Sequence, residues 1–371
     1  ATSVPEEKTP HGVIESKVRQ VPPLSRRGSR LSKHDTAGPF LPHPGGVSLK
    51  PVLPPFWHPT FAHAFILDWD GVLAETRLDF SSIRNRYFHG KRVPLLEAGL
   101  FLPAETRREL EKDIYDLEMQ GAAAAEPVPG APDLLDWLDS RGIPWAVVSR
   151  NCRDSIDLAA RQAGIRLPEV VLSRDEEPVK PHPEALWKAA RLLGAESSRC
   201  VMVGDFIYDF VGARRAGMRA ILVQREEPAW LEWIDHACPT LRNLLEELES
   251  PAPWVPWEYR SLVERKGRAW LEAAWSLQVQ VPPGCPDPAR LVHEAASLGV
   301  GHFLVEPGLG LSVSRWQESL PLGQEWLGQP LSESLEAFLA GRFPFAVVSE
   351  GVGGMELPEN GIESTLEEVL G

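Results

Sequence analysis

Cysteine is scarce in this sequence of 371 residues: it occurs only as Cys152, Cys200, Cys238 and Cys285. No two of them form a C-x-x-C pair, so the usual sequence motifs of zinc sites and dithiol redox centres have no support. Four is an even number and leaves disulfides formally open. A long chain without a secretory segment points instead to reduced thiols. Long apolar runs are missing as well. Nowhere do about 18 uncharged apolar residues follow one another, so no transmembrane helix is expected. No apolar signal core follows Ala1-Thr2-Ser3, and a cytoplasmic location is the expectation. Positive charge is in deficit too, with 38 Lys and Arg against 52 Asp and Glu and a net charge of −14. A general nucleic-acid binder needs basic surface to replace condensed counterions, so that class is excluded. Neither nucleic acid nor membrane is an expected partner. A chain this acidic that handles anions needs local cations or a metal at its site.

Proline is plentiful in residues 1–60, with Pro22-Pro23, Pro42, Pro44, Pro51, Pro54 and Pro55 and no sustained periodicity. Proline removes backbone donors and breaks helices, so this segment reads as a disordered tail. Its basic patch Arg26-Arg27-Gly28-Ser29-Arg30 is a candidate for docking a protein partner, against the simpler reading of a solvated tail. From Phe61 the texture changes. Short apolar runs at 65–67, 144–148, 170–172, 200–203 and 220–223 alternate with helical stretches at 133–141, 154–163, 183–193 and 208–216. That alternation predicts an α/β fold, a Rossmann-like parallel sheet with helices on both faces. Ligands of such sheets bind beyond the carboxyl ends of the strands. Asp68, Asp70, Ser149 and Asp205 all fall at those ends and are expected to converge.

One crossover is too long for a loop. About sixty residues separate Asp70 from the next sheet helix, against about 2–6 in a usual connection. Leu110, Ile114 and Leu117 repeat at helical spacing, so 73–129 reads as an inserted α-helical cap. The sheet domain is expected over 61–250, closing with a helix at 241–248 and a Pro-rich linker from Pro251. A smaller C-terminal α/β domain of unassigned role is expected over 251–371. Its helices are expected at 259–277, 288–298 and 333–339, and its strands at 278–281, 302–305 and 344–348. Its many tryptophans, such as Trp270 and Trp275, suit a core or an interface.

Four segments carry chemistry. Asp68-Trp69-Asp70-Gly71 ends the first strand, and alternation puts both carboxylates on one side. One can attack while the other moves a proton. Ser149-Arg150-Asn151 ends the second strand, where a hydroxyl and backbone N–H groups suit phosphate oxygens. Lys180, before Pro181-His182-Pro183-Glu184, is placed to neutralise anionic charge. Asp205 and Asp209, four residues apart on a turn entering a helix, are oxygen donors of the kind Mg2+ takes. Taken singly, each signal is common by chance; their order at strand ends is the specific observation. Cys152 reads as a passive, partly buried thiol rather than a reactive one.

In this order the segments resemble the haloacid dehalogenase-like (HAD) superfamily, and within it the phosphoglycolate-phosphatase-like members with a small helical cap. The resemblance covers about 61–250. It implies that Asp68 is the nucleophile forming an aspartyl-phosphate and Asp70 the general acid and base. Ser149 would bind the phosphoryl group, and Lys180 would stabilise it and Asp68. It implies Mg2+ held by Asp68, Asp205 and the Asp70 carbonyl, with Asp209 supporting the metal shell or orienting Lys180. The implied partner is a small phosphorylated metabolite. Asp70 argues for phosphate-ester chemistry, because dehalogenases of the family lack an acid there. A hexose-phosphate mutase with the same residues is one alternative. A binding or regulatory protein acting through 251–371 or the tail is another.

Overall fold

The computed structural model describes residues 54–318, 322–358 and 360–371. The tail up to 53, with its basic patch, lies outside the described residues. In chain order the sheet domain carries β1 (Ala64–Leu67), β2 (Ala74–Glu75), α1 (Ser81–Phe88), α2 (Leu95–Gly99), α3 (Ala104–Ala122) and β3 (Glu126–Pro127). There follow α4 (Ala131–Ser140), β4 (Trp145–Val148), α5 (Arg153–Ala163), β5 (Val170–Leu172), α6 (Pro183–Leu192) and β6 (Cys200–Gly204). The domain closes with α7 (Ile207–Ala216), β7 (Arg219–Val223), β8 (His236–Cys238) and α8 (Leu241–Glu249).

Six strands make one parallel sheet in the order β5-β4-β1-β6-β7-β8. The chain runs outward from β1 to β4 and β5, then returns past β1 to build the other half. The reversal of strand order therefore falls at β1, where a crevice opens beyond the strand ends. Both faces of the sheet are covered, so its strands are buried apolar runs. Phe65 and Leu67 face the layer of α4, α5 and α8, while Ala64 and Ile66 face α6 and α7. The sixth strand, β8, reads His236-Ala237-Cys238 and has no apolar run to announce it.

The insert leaves the sheet through β2 and returns through β3, which pair antiparallel at its base. Ile83, Leu95, Leu110 and Ile114 form its own small core. The stripe seen in the sequence continues to a buried acid, Glu118.

The C-terminal unit holds α9 (Arg260–Lys266), α10 (Arg268–Trp275), β9 (Gln278–Val281), α11 (Pro288–Ser297), β10 (His302–Val305), α12 (Val313–Glu318), α13 (Leu331–Ala340), β11 (Val347–Glu350), β12 (Met355–Glu356) and α14 (Ile362–Leu370). Its four strands form a separate parallel sheet, ordered β11-β10-β9-β12. The helix expected over 259–277 is split at Gly267, whose φ of +85° no L side chain adopts readily. The last expected strand starts three residues later than the sequence suggests. Pro344 has no N–H for the ladder, and Phe345 packs into both neighbouring cores.

The two units meet through a buried ionic network. Arg219 of β7 pairs with Asp235 at 3.2 Å and with Glu258 at 2.5 Å, and Arg214 reaches Asp235 at 2.7 Å. Asp235 is held below the usual carboxylate range: burial opposes its charge, but Arg214 and Arg219 outweigh that. Arg260 adds hydrogen bonds to the carbonyls of Ile234 and Asp235, each at 2.9 Å. Phe56, Trp57 and His58 are buried, and Trp57 exchanges backbone hydrogen bonds with Trp254 at 3.0 and 2.9 Å. Among the described residues no helix is long and apolar enough to cross a membrane.

Candidate active site

The site grows from the end of β1. Asp68 follows Leu67, and the next residue, Trp69, is fully buried in the core on one sheet face. Alternation then returns Asp70 to the rim. The Trp69 carbonyl accepts from the N–H groups of Leu73 (2.9 Å) and Ala74 (3.0 Å), which turns the chain sharply. Gly71 sits at the bend with φ +76°, and a Cβ there would lie 2.6 Å from Asp205 Oδ2. Only glycine meets both demands. Gly204 is needed for a different reason: a Cβ on it would overlap the Asp209 carboxylate.

Lys180 is 1% exposed and stands between two acids. Its Nζ lies 2.9 Å from Asp68 Oδ1 and 2.6 Å from Asp209 Oδ1. Asp68 Oδ1 also accepts the Trp69 N–H at 2.7 Å. Asp209 Oδ2 accepts the Phe206 N–H at 3.0 Å, which ties the first turn of α7 to the end of β6. Asp205 Oδ2 accepts from Arg225 Nε at 2.8 Å. Carboxylate oxygens of Asp68, Asp205 and Asp209 all lie within 4.8 Å of one another. The Asp70 carboxylate is turned aside, its Oδ1 accepting from the Thr76 N–H at 3.1 Å and from the Thr76 hydroxyl.

The charges strain against each other. Burial pushes Asp70 up to about 6, with the charges of Asp68 and Asp205 adding to it and the Thr76 hydrogen bonds opposing it. Burial and Asp68 push Asp205 up to about 6 against the pull of Arg225. Asp209 is raised by burial and by Asp68, and Lys180 offsets only part of this. Burial alone would lower Lys180, but Asp209 and Asp68 together hold it protonated. Negative charge therefore exceeds positive at one buried point. Oxygen donors with this surplus fit a hard divalent cation that keeps some of its waters.

Ser149 is buried at the end of β4, and its Oγ accepts the Asn151 N–H at 3.1 Å. Arg150, singled out from sequence as a neighbour of Ser149, turns elsewhere. Its guanidinium is bidentate to Glu97 of α2 (2.8 and 2.9 Å), stacks 4.4 Å over Tyr208 and donates to the Lys180 carbonyl. It joins the insert to the sheet domain and is not part of the carboxylate cluster. Cys152 is buried at the start of α5, and burial raises its thiol pKa, so it is not a poised nucleophile.

Several participants were not visible in the sequence. Thr76 and Arg225 sit in connections with no pattern to mark them. Glu118 is a charged residue on an apolar helical stripe, a signal that could have been used. It pairs with Arg174 and accepts the Cys152 N–H at 2.9 Å, next to the loop carrying Ser149.

A family-wide profile for haloacid dehalogenase-like hydrolases matches residues 62–217, the stretch that contains all of these groups except Arg225. This part of the chain belongs to that family. The hydrolase domain is 29% identical to hexitol phosphatase A of Escherichia coli over 141 residues, 37% of this chain and 65% of that protein. It is 32% identical to the pyrophosphatase PpaX of Halalkalibacterium halodurans over 100 residues, 26% of this chain and 46% of that protein. The chain thus spans less than two thirds of either relative. A hydrolase of known structure from Pseudomonas syringae superposes with a TM-score of 0.45 at 19% identity, covering 51% of this chain and 99% of that one.

Proposed function

We propose that the hydrolase domain is a Mg2+-dependent phosphatase that cleaves a small phosphate monoester through an aspartyl-phosphate on Asp68. The observation that carries this reading is Lys180, buried and shared between Asp68 and Asp209, with Asp205 in the same cluster. The phosphatase names of two matched relatives support it.

Asp68 Oδ1 is held by Lys180 and the Trp69 N–H, which leaves Oδ2 to attack phosphorus. As the P–O ester bond breaks, protonated Asp70 gives its proton to the leaving oxygen. The Thr76 hydrogen bonds keep that carboxyl in place. Ser149 Oγ and neighbouring N–H groups donate to the phosphoryl oxygens, and Lys180 offsets their charge. Asp70, now a carboxylate, takes a proton from water. That water attacks the aspartyl-phosphate, releasing phosphate and restoring Asp68. Mg2+ held by Asp68, Asp205 and the Asp70 carbonyl would neutralise charge between nucleophile and phosphoryl group. Asp209 has both oxygens committed, to Lys180 and to the Phe206 N–H, and is read here as orienting the lysine.

Incubating the full chain with a panel of phosphate monoesters tests this. Inorganic phosphate release is expected with Mg2+, lost on EDTA and regained on Mg2+ excess. No release from any ester in the presence of Mg2+ would refute the reading. Asp70→Asn should slow turnover of alkyl phosphates by about 10²–10⁴-fold, the range of general acid–base catalysis. With p-nitrophenyl phosphate, whose leaving group needs no proton, the same variant should give a burst of one nitrophenolate per chain and then stall. Sustained turnover of this ester at the unmodified rate, with no stall after the first equivalent, would remove Asp70 from the second step.

A further inference from the structure

A second cluster of ligand-type side chains lies far along the sheet from Asp68, on its edge strand. His236 and Cys238 are two residues apart on β8, so their side chains leave the same side of the strand. Glu247 of α8 reaches back toward them, with His236 Nε2 at 3.2 Å from Glu247 Oε1. One donor atom from each of His236, Cys238 and Glu247 lies within 4.8 Å of the other two. The His236 ring is fixed by stacking on Trp254, at 3.8 Å between centroids and 16° between planes. Cys238 is 1% exposed, while the His236 and Glu247 side chains are about one-third exposed (32% and 35%), which leaves a path from solvent.

A second histidine packs on the same tryptophan. His58 is wholly buried and packs edge-on against the same Trp254 at 5.1 Å. Its Nδ1 is committed to Thr60 Oγ1 at 2.8 Å. Its Nε2 is buried with the Glu247 backbone as its hydrogen-bonding neighbour, which ties the segment before β1 to α8.

We propose that His236, Cys238 and Glu247 form a zinc-binding site. Imidazole, thiolate and carboxylate are the donors Zn2+ takes, and three protein ligands leave a fourth position for water. Mg2+, which wants only oxygen, is not matched to this set. The free Cys238 thiol enters binding as S–H, the ordinary form of cysteine at neutral pH. Binding forms the metal–sulfur bond and releases that proton to solvent. The spacing is His-x-Cys with a distant Glu, which explains why no C-x-x-C motif marks it. The ion would join β8, α8 and the junction around Trp254.

Cobalt(II) titration of the full chain tests the site, because thiolate bound to Co2+ gives a near-ultraviolet charge-transfer band that oxygen ligands do not. One equivalent of Co2+ should saturate the band, and one equivalent of Zn2+ should abolish it. Cys238→Ala should remove the band, while Asp68→Asn should leave it intact, separating it from the phosphatase site. Should Cys238→Ala fail to fold, Glu247→Gln serves instead, with an expected loss of Zn2+ affinity of about 100-fold or more, at or beyond the upper range seen for ligand-supporting residues. No band in the unmodified chain, a band that persists without Cys238, or unchanged affinity in Glu247→Gln would each overturn the proposal.

Discussion

Asp68→Asn is expected to reduce phosphate release by roughly six orders of magnitude, the scale on which removing a covalent nucleophile acts. The amide keeps an oxygen for the Trp69 N–H and loses the attacking charge. The fold should survive the change. Asp68 is one of the charges that raise Asp205 and Asp209, so its neutralisation eases repulsion within the cluster. Thermal unfolding at neutral pH should therefore occur at an equal or higher temperature than in the unmodified chain. The two readouts are needed together. Lost activity in an unfolded variant would say nothing of the nucleophile, and retained activity in a folded one would end the aspartyl-phosphate reading.

Arg219→Met is expected to cost about 3–5 kcal/mol of stability, the penalty for removing one partner of a buried ion pair. Asp235 keeps Arg214 after this change. Glu258, with its side chain 2% exposed, loses the cation it is paired with across the junction. The loss should thus appear in unfolding of the whole chain, followed by urea or heat. Combining Arg219→Met with Glu258→Leu should recover much of it, because replacing a whole buried pair by apolar groups is often near neutral. If the double variant is no more stable than Arg219→Met alone, an unpaired Glu258 is not the cause.

How far the sequence could be read depended on how each element is stabilised. β1, β4, β5, β6 and β7 are buried on both faces, and such strands must be continuous apolar runs. Their ends were therefore visible, and with them Asp68, Asp70, Ser149 and Asp205. Lys180 was found by its order after those strands. β8 was missed because an edge strand of three residues, His236-Ala237-Cys238, needs no apolar run. β12, with two residues, is shorter than any period that could reveal it. Arg150 shows a different limit. It neighbours Ser149 in sequence, yet its long side chain reaches Glu97 and Tyr208, a choice that only packing decides. Arg225 and Thr76 are likewise set by the path of loops.

The backbone pairing of Trp57 with Trp254 bears on how the hydrolase domain can be isolated. It joins the segment entering the first strand to the segment leaving the last helix, like the two ends of a belt fastened at one buckle. A recombinant fragment cut at 61 and 250 would discard both halves of that fastening, along with Glu258 from the ionic junction. Expression boundaries should begin ahead of Phe56 and extend beyond Arg260, or retain the full C-terminal unit.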